Sequence, residues 1–215
     1  MKNCIIYDFD GTITKTDSTK YLLLSILARH PYKFLILLID ILIILVHGDS
    51  NKIQNSKNKL IGKLFRNLTE KEIIKSLDLY KKKVQRSYRK NLLKKINYEI
   101  NNDFIVLIIT ASPRIVIENL FINSSFTVIG TEFEMIDKKF TGNLLGNPCH
   151  GEHKVNAYKN WLQSQKYELK LIEAWSDSLT DLSLLRLARK RFWIGDQKSL
   201  DKIKKIDKSA EFKID

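Results

Sequence analysis

The sequence predicts an α/β fold, a parallel sheet covered on both faces and interrupted after its first strand by an all-helical insertion. Three observations support this. Short runs that are apolar throughout recur along the chain, helical patterns separate them in its second half, and residues 16–101 contain long helical stretches without a convincing strand. Continuous apolar strands alternating with helices argue for a parallel sheet buried on both sides.

The elements follow in order. Residues 3–9 (NCIIYDF) read as a short buried strand that ends on acidic residues before Gly11 and Thr12, and residues 104–110 (FIVLIIT) as a second. Residues 126–130 (FTVIG), 171–176 (LIEAWS) and 191–195 (RFWIG) are three more. Helical patterns cover 114–122, 153–165 and 179–190. Residues 132–145 read as a β-hairpin turning at Asp137, Lys138 and Lys139, with Gly142 ending it. The expected domains are a core of 1–15 with 100–215 and a helical insertion of 16–99.

Composition bounds the function. The 215 residues suffice for one hydrophobic core with an inserted subdomain, and 44% apolar content excludes disorder as the main state. Two cysteines, Cys4 and Cys149, are too few for a disulfide scaffold, and the short apolar run after Met1 meets Asp8 and Asp10 too soon for a signal peptide. A cytoplasmic location is expected. Thirty-seven Lys and Arg against 24 Asp and Glu give a net charge of +13, which suggests nucleic acid until the charge is located. Residues 49–95 hold fifteen Lys or Arg and four acids, a net +11 in one segment. With only eight arginines and no interleaving of aromatic and basic residues, a nucleic-acid or scaffold role is the weaker reading. A solvated, Lys-rich surface without selected function accounts for the charge equally well.

Residues 34–46 (FLILLIDILIILV) are apolar except for Asp40. A spanning helix needs about 20 apolar residues, and a central Asp adds roughly 3 kcal/mol to full insertion. Two readings stay open, a helix buried in the insertion and a helix lying in a membrane interface. Arg29, His30 and Lys33 around Pro31 would suit a turn that touches anionic headgroups.

The chemistry lies at the strand ends, where open parallel sheets bind ligands. Asp8 and Asp10 flank the turn after the first strand, so one carboxylate can attack a phosphoryl group while the other moves a proton. Thr110, Ala111 and Ser112 close the second strand ahead of a helix, offering a hydroxyl and N–H groups to an anion. Lys154 starts another helix, and Ser176, Asp177 and Asp181 follow a third strand with two carboxylates four apart.

In that order, DFDGT, ITAS, GEHK and SDSLTD resemble the four motifs of the haloacid dehalogenase-like (HAD) hydrolase superfamily, over essentially the whole chain. The helical insertion after the first motif, the phrase TASP, and the run from Cys149 to Val155 are similar to subclass IB, which contains phosphoserine phosphatase and bacterial phosphatidylglycerophosphatase C. The resemblance implies a Rossmann-like core with a helical cap. It makes Asp8 the nucleophile of an aspartyl-phosphate and Asp10 the acid and base. It assigns phosphate binding to Thr110, Ala111 and Lys154, and Mg²⁺ to Asp8, Asp10 through its carbonyl, and Asp177, with Asp181 in support. Ser176 departs from the Gly often found there, and Asp10 favours phosphate over carbon–halogen chemistry. Asp17 stands where phosphoserine phosphatases carry a Glu that reads the substrate's amine. The expected partner is an anionic phosphorylated substrate, with a phospholipid monoester such as phosphatidylglycerophosphate ahead of a small soluble metabolite. Peripheral contact of the cap with the inner face of the cytoplasmic membrane would accompany a lipid substrate.

Overall fold

The computed structural model describes residues 2–35, 37, 50–122, 124–166 and 168–214. The described residues form two compact units, Met1–Asp17 with Ser87–Gly130 and Cys149–Asp215, and Ser18–Arg86 with Thr131–Pro148.

The first unit holds the predicted parallel sheet. Its strands are β1 (Lys2–Tyr7), β2 (Ile105–Pro113), β3 (Thr127–Thr131), β6 (Leu169–Ser176), β7 (Lys190–Gly195) and β8 (Glu211–Ile214), in the order β3-β2-β1-β6-β7-β8. The pairings of β1 with β2 and β6, of β6 with β7 and of β7 with β8 are parallel. The order reverses direction at β1, so the crevice between the ends of β1 and β6 is the topological switch point of the sheet. Cys4, Ile5, Ile6 and Tyr7 on the central β1 are all at most 1% exposed, which is why that strand is apolar throughout.

The helices of this unit are α5 (Lys90–Asn101), α6 (Arg114–Glu118), α7 (Glu152–Gln163), α8 (Leu182–Leu185) and α9 (Gln197–Lys204). Val155 and Tyr158 of α7, Leu184 and Leu185 of α8, and Leu200 and Ile203 of α9 pack with Cys4, Ile6, Leu107, Ile109, Ala174 and Trp193 of the sheet. On α5, Leu92 and Ile96 are buried, and Glu99 accepts a hydrogen bond from Tyr7 Oη at 2.7 Å. That bond ties α5 to the central strand. A segment expected within the insertion therefore belongs to the core.

The second unit contains α1 (Thr19–Arg29), α2 (Ser50–Phe65), α3 (Glu70–Lys75) and α4 (Asp78–Gln85), together with the hairpin β4 (Phe133–Ile136) and β5 (Lys139–Leu144). It is therefore not all-helical. The hairpin joins it through Asn67 N–H to the Phe140 carbonyl (2.8 Å) and Phe140 N–H to the Leu68 carbonyl (2.9 Å). The Phe65 ring lies 5.1 Å from that of Phe133 and 5.4 Å from that of Phe140. The hairpin turns on Asp137 and Lys138 alone, both with positive φ, as two-residue hairpin loops require. Lys139 already belongs to β5, which runs through Gly142 to Leu144. Gly142 serves close approach: a Cβ on Gly62 of α2 would lie 2.1 Å from its carbonyl oxygen.

Other boundaries differ for local reasons. The helix expected at 114–122 stops at Glu118, where Asn119 Nδ2 donates to the Ile115 carbonyl at 2.9 Å. The one expected at 179–190 is a single 3₁₀ turn, Leu179–Asp181, followed by α8, because the chain must turn back before Arg189 N–H meets the Leu171 carbonyl and β7 begins. Apart from Phe34, Leu35 and Leu37, the apolar stretch 34–46 lies outside the described residues. Among the described residues no helix is long and apolar enough to cross a membrane.

Two stability outcomes follow from this packing. Gly62→Ala should lower the unfolding free energy by about 1–3 kcal/mol, since neither backbone at the α2–β5 contact can move independently; an unchanged denaturation midpoint would contradict the contact. Asp207, 5% exposed, accepts bonds from Arg191 Nε and Nη2, both at 3.0 Å, and from Trp193 Nε1 at 2.9 Å. Burial pushes its carboxyl up, but the bonds from Arg191 and Trp193 outweigh burial and hold it below the usual range. A depressed folded-state value stabilises above the unfolded value, and that contribution fades as pH falls through the folded one. Asp207→Asn should therefore cost about 2 kcal/mol at neutral pH, and the gap between its melting curve and the wild type's should narrow as pH falls below the ordinary carboxyl range.

Candidate active site

The carboxyl ends of β1, β2 and β6 and the first turn of α7 bring the predicted residues of the first unit together. Asp8 follows β1 directly, its N–H bonded to the Trp175 carbonyl of β6 at 2.9 Å. The chain then makes a tight turn, Phe9–Ile13, with Gly11 at φ +81°. Only glycine fits there, because a Cβ would lie 2.0 Å from Asp177 Oδ2. The turn is pinned from outside by Arg89, whose Nη1 donates to the carbonyls of Gly11 (2.7 Å), Thr12 (3.4 Å) and Thr14 (2.8 Å).

Lys154, 2% exposed, donates to Asp8 Oδ1 at 2.6 Å and to Asp181 Oδ2 at 2.7 Å. A cation in the first turn of α7 opposes the helix dipole. Burial likewise works against the charged ammonium, but Asp181 and Asp8 outweigh it and raise the lysine's pKa. The carboxylates respond differently. Burial pushes Asp8 well above the ordinary carboxyl range; Lys154 opposes that shift, while Asp181 and Asp177 add to it. Asp177 is pushed up to about 6, by burial first and then by repulsion from Asp181. One ammonium thus serves a cluster of carboxylates and leaves negative charge over.

That surplus bears on a metal. The Thr12 hydroxyl lies 3.4 Å from Asp8 Oδ2 and 3.3 Å from Asp177 Oδ1, so oxygens of these two carboxylates flank one point. Asp181 Oδ1 is buried without a hydrogen-bond partner. Among the described residues no three His, Cys, Asp or Glu side chains form a cage. An all-oxygen pair of carboxylates, to be completed by a backbone carbonyl and waters, fits a hard divalent cation and would relieve the repulsion that raises Asp177.

On β2, Thr110 is 1% exposed and its Oγ1 accepts the Ser112 N–H at 3.1 Å, with Ala111 between them. Ser112 Oγ donates to Asp10 Oδ2 at 2.6 Å. Ser176 Oγ donates to Asp181 Oδ2 at 2.7 Å and accepts the Ser178 N–H at 3.1 Å, which fixes the loop carrying Asp177. Asp8, Lys154, Asp177 and Asp181 thus belong to one linked cluster, and Asp10 and Thr110 to a second set joined through Ser112. Sequence reasoning missed the parts played by Thr12, Ser112, Ser176 and Arg89. The first three lay inside the motifs already singled out, whereas no local signal in the sequence links Arg89 to a turn 78 residues away. Trp175, next to the acidic loop, is stacked at 4.1 Å on Phe192 and donates from Nε1 to Glu173 at 3.1 Å.

No curated protein matches the chain. Among solved structures, a protein of unknown function from Bordetella pertussis Tohama I superposes with a TM-score of 0.77 at 19% identity, covering 100% of this chain and 99% of its own. A phosphoserine phosphatase solved as a phospho-aspartyl intermediate analogue gives 0.61 at 15% identity, covering 99% and 93%. A phosphoserine phosphohydrolase-like protein from Francisella tularensis subsp. tularensis SCHU S4 gives 0.62 at 22% identity, covering 99% and 95%. At such identities the likeness is one of fold. The family model for haloacid dehalogenase-like hydrolases matches residues 5–186, from within β1 past the acidic loop that follows β6. Sequence, topology and family match agree, and the chain belongs to the haloacid dehalogenase-like hydrolase family.

Proposed function

We propose that this protein is a phosphomonoester hydrolase that works through an aspartyl-phosphate on Asp8. The observation that carries this reading is the pairing of Asp8 with the buried Lys154 at 2.6 Å, with a second carboxylate, Asp10, two residues on. Lys154 meets Oδ1 of Asp8, while Oδ2 faces Asp177 across the point where a cation would bind. A carboxylate oxygen of Asp8 attacks phosphorus, and Asp10 gives its proton to the leaving oxygen as that P–O bond breaks. Asp10 then takes a proton from the water that cleaves the Asp8–phosphorus linkage and regenerates the carboxylate. Thr110 Oγ1, which already accepts from Ser112 N–H, has its own O–H to donate to a phosphoryl oxygen, beside Ala111 on the same strand. Mg²⁺ held by Asp8, Asp177 and the Asp10 carbonyl would supply the charge that lets a carboxylate approach a phosphate dianion. Asp181 keeps Lys154 in place.

For the substrate, we take the part of the expected insertion that lies in the second unit, residues 18–86, as a cap, and favour a phospholipid monoester, phosphatidylglycerophosphate being the leading candidate. The support is the basic segment 49–95 following the apolar stretch 34–46, which together suit an acyl chain and an anionic headgroup at the cytoplasmic face of a membrane. A second reading, a soluble phosphorylated metabolite, is favoured by the phosphoserine phosphatases among the structures that share the fold.

Two measurements check these proposals. Phosphate release from an aryl phosphate should need Mg²⁺, stop on chelation, and fall by at least about a thousandfold in Asp8→Asn; retained activity in that variant would remove Asp8 as the nucleophile. In a panel of phosphatidylglycerophosphate, phosphatidate, phosphoserine and nucleotides, a lipid phosphatase should turn over the lipids fastest and sediment with anionic vesicles. Preference for phosphoserine by a protein that ignores vesicles would select the metabolite reading.

A further inference from the structure

We infer that Ser112 is a positioning residue for Asp10, holding that carboxyl in place through both halves of the reaction. The inference rests on the phosphatase reading above. Ser112 is 7% exposed and its Oγ donates to Asp10 Oδ2 at 2.6 Å, a bond across 102 residues of sequence. The serine is itself held at both backbone ends. Its N–H donates to Thr110 Oγ1 at 3.1 Å, and its carbonyl packs so closely on Gly130 of β3 that a Cβ there would lie 2.8 Å from it. The hydroxyl is therefore a fixed point near the end of β2, the strand that also presents Thr110.

The choice of a hydroxyl matches the chemistry. Asp10 enters the first step protonated, loses the proton to the leaving oxygen as that P–O bond breaks and the Asp8–phosphorus bond forms, and regains one from water in the second step. A serine hydroxyl donates to the ionised carboxylate and, after rotation, accepts from the protonated acid, so the contact survives in both states. A lysine in the same place would favour the ionised form alone and oppose the first step. Ser112 gains and loses no proton over the cycle. Its part is to keep Asp10 aimed between Asp8 and the leaving group.

The test compares Ser112→Ala and Ser112→Thr with the wild type on an alkyl phosphate and on p-nitrophenyl phosphate, and adds Ser112→Ala to Asp10→Asn. Ser112→Ala should lower kcat on the alkyl phosphate about tenfold with KM little changed. The loss should be smaller for p-nitrophenol, which leaves with less help from an acid. Ser112→Thr should restore most of the rate, and Ser112→Ala should cost nothing further in the Asp10→Asn background. Equal losses on both substrates, a change in KM alone, or an additive loss in the double variant would overturn the inference. Should Ser112→Ala fail to fold, Ser112→Cys keeps the volume, weakens the donor and is read the same way. A wild type that releases phosphate from no monoester overturns the phosphatase reading and this role with it; turnover that depends on Asp8 but not on Ser112 overturns the role alone.

Discussion

The ammonium of Lys154, held between Asp8 and Asp181, is the interaction on which the rest of the first unit depends. A lysine 2% exposed is tolerable only if its charge is met at close range, and here two carboxylates meet it at 2.6 and 2.7 Å. Removing one partner from such a cluster typically costs about 3–5 kcal/mol. The geometry must be delivered by three separate segments, the end of β1, the first turn of α7 and the loop after β6. A sheet order that places β1 beside β6 satisfies that demand, and the Asp8 N–H bond to the Trp175 carbonyl locks the two strand ends together. In this sense the topology and the ion cluster are one constraint.

The same cluster explains why the turn after Asp8 is so tightly specified. Asp177 needs room beside Asp8, and the room exists because Gly11 has no side chain. A turn with a glycine at φ +81° is soft on its own, since glycine has many conformations to lose. Arg89 offsets this by donating to three carbonyls of the turn from the start of α5. Close by, Lys15 N–H meets the Ser87 carbonyl at 2.8 Å and Arg89 N–H meets the Ile13 carbonyl at 2.9 Å, so the departing and returning chains run together as a short antiparallel ladder. The stretch that carries Asp10 is thus stiffened by contacts remote in sequence.

Legibility in the sequence tracks how local each constraint is. Strands β1 and β2 could be read because a central parallel strand must be apolar on both faces. Strand β8, at the sheet edge with Glu211 and Lys213 among its four residues, shows no such run and was not anticipated. Asp8, Lys154, Asp177 and Asp181 were legible because each follows a strand or opens a helix, and Asp10 and Thr110 because they lie within a few residues of a strand's end. Contacts across the fold were not. The hairpin's membership in the second unit depends on Gly62 meeting Gly142 and on Phe65 meeting Phe133 and Phe140, and nothing in residues 132–145 announces it. Ser176 was legible as a departure from the usual glycine but not as a donor to Asp181, since a hydroxyl's partner depends on a rotamer.

The charge balance gains a different meaning once it is divided between the units. The second unit holds sixteen Lys and Arg against eight Asp and Glu, a net +8, and the first unit carries the remaining +5. The basic segment 49–95 is therefore not one surface. Its last four cations, Arg89, Lys90, Lys94 and Lys95, belong to the first unit, and two of them have internal work, Arg89 on the carbonyls of the turn and Lys95 on Glu99 and on Glu173 at 3.0 Å. A cation whose charge is already met inside the fold contributes little to attracting an anion from solution. What remains of the excess lies mainly with the second unit. The distribution thus divides by unit: the buried lysine of the first has its charge met by Asp8 and Asp181, and the second holds most of the excess positive charge.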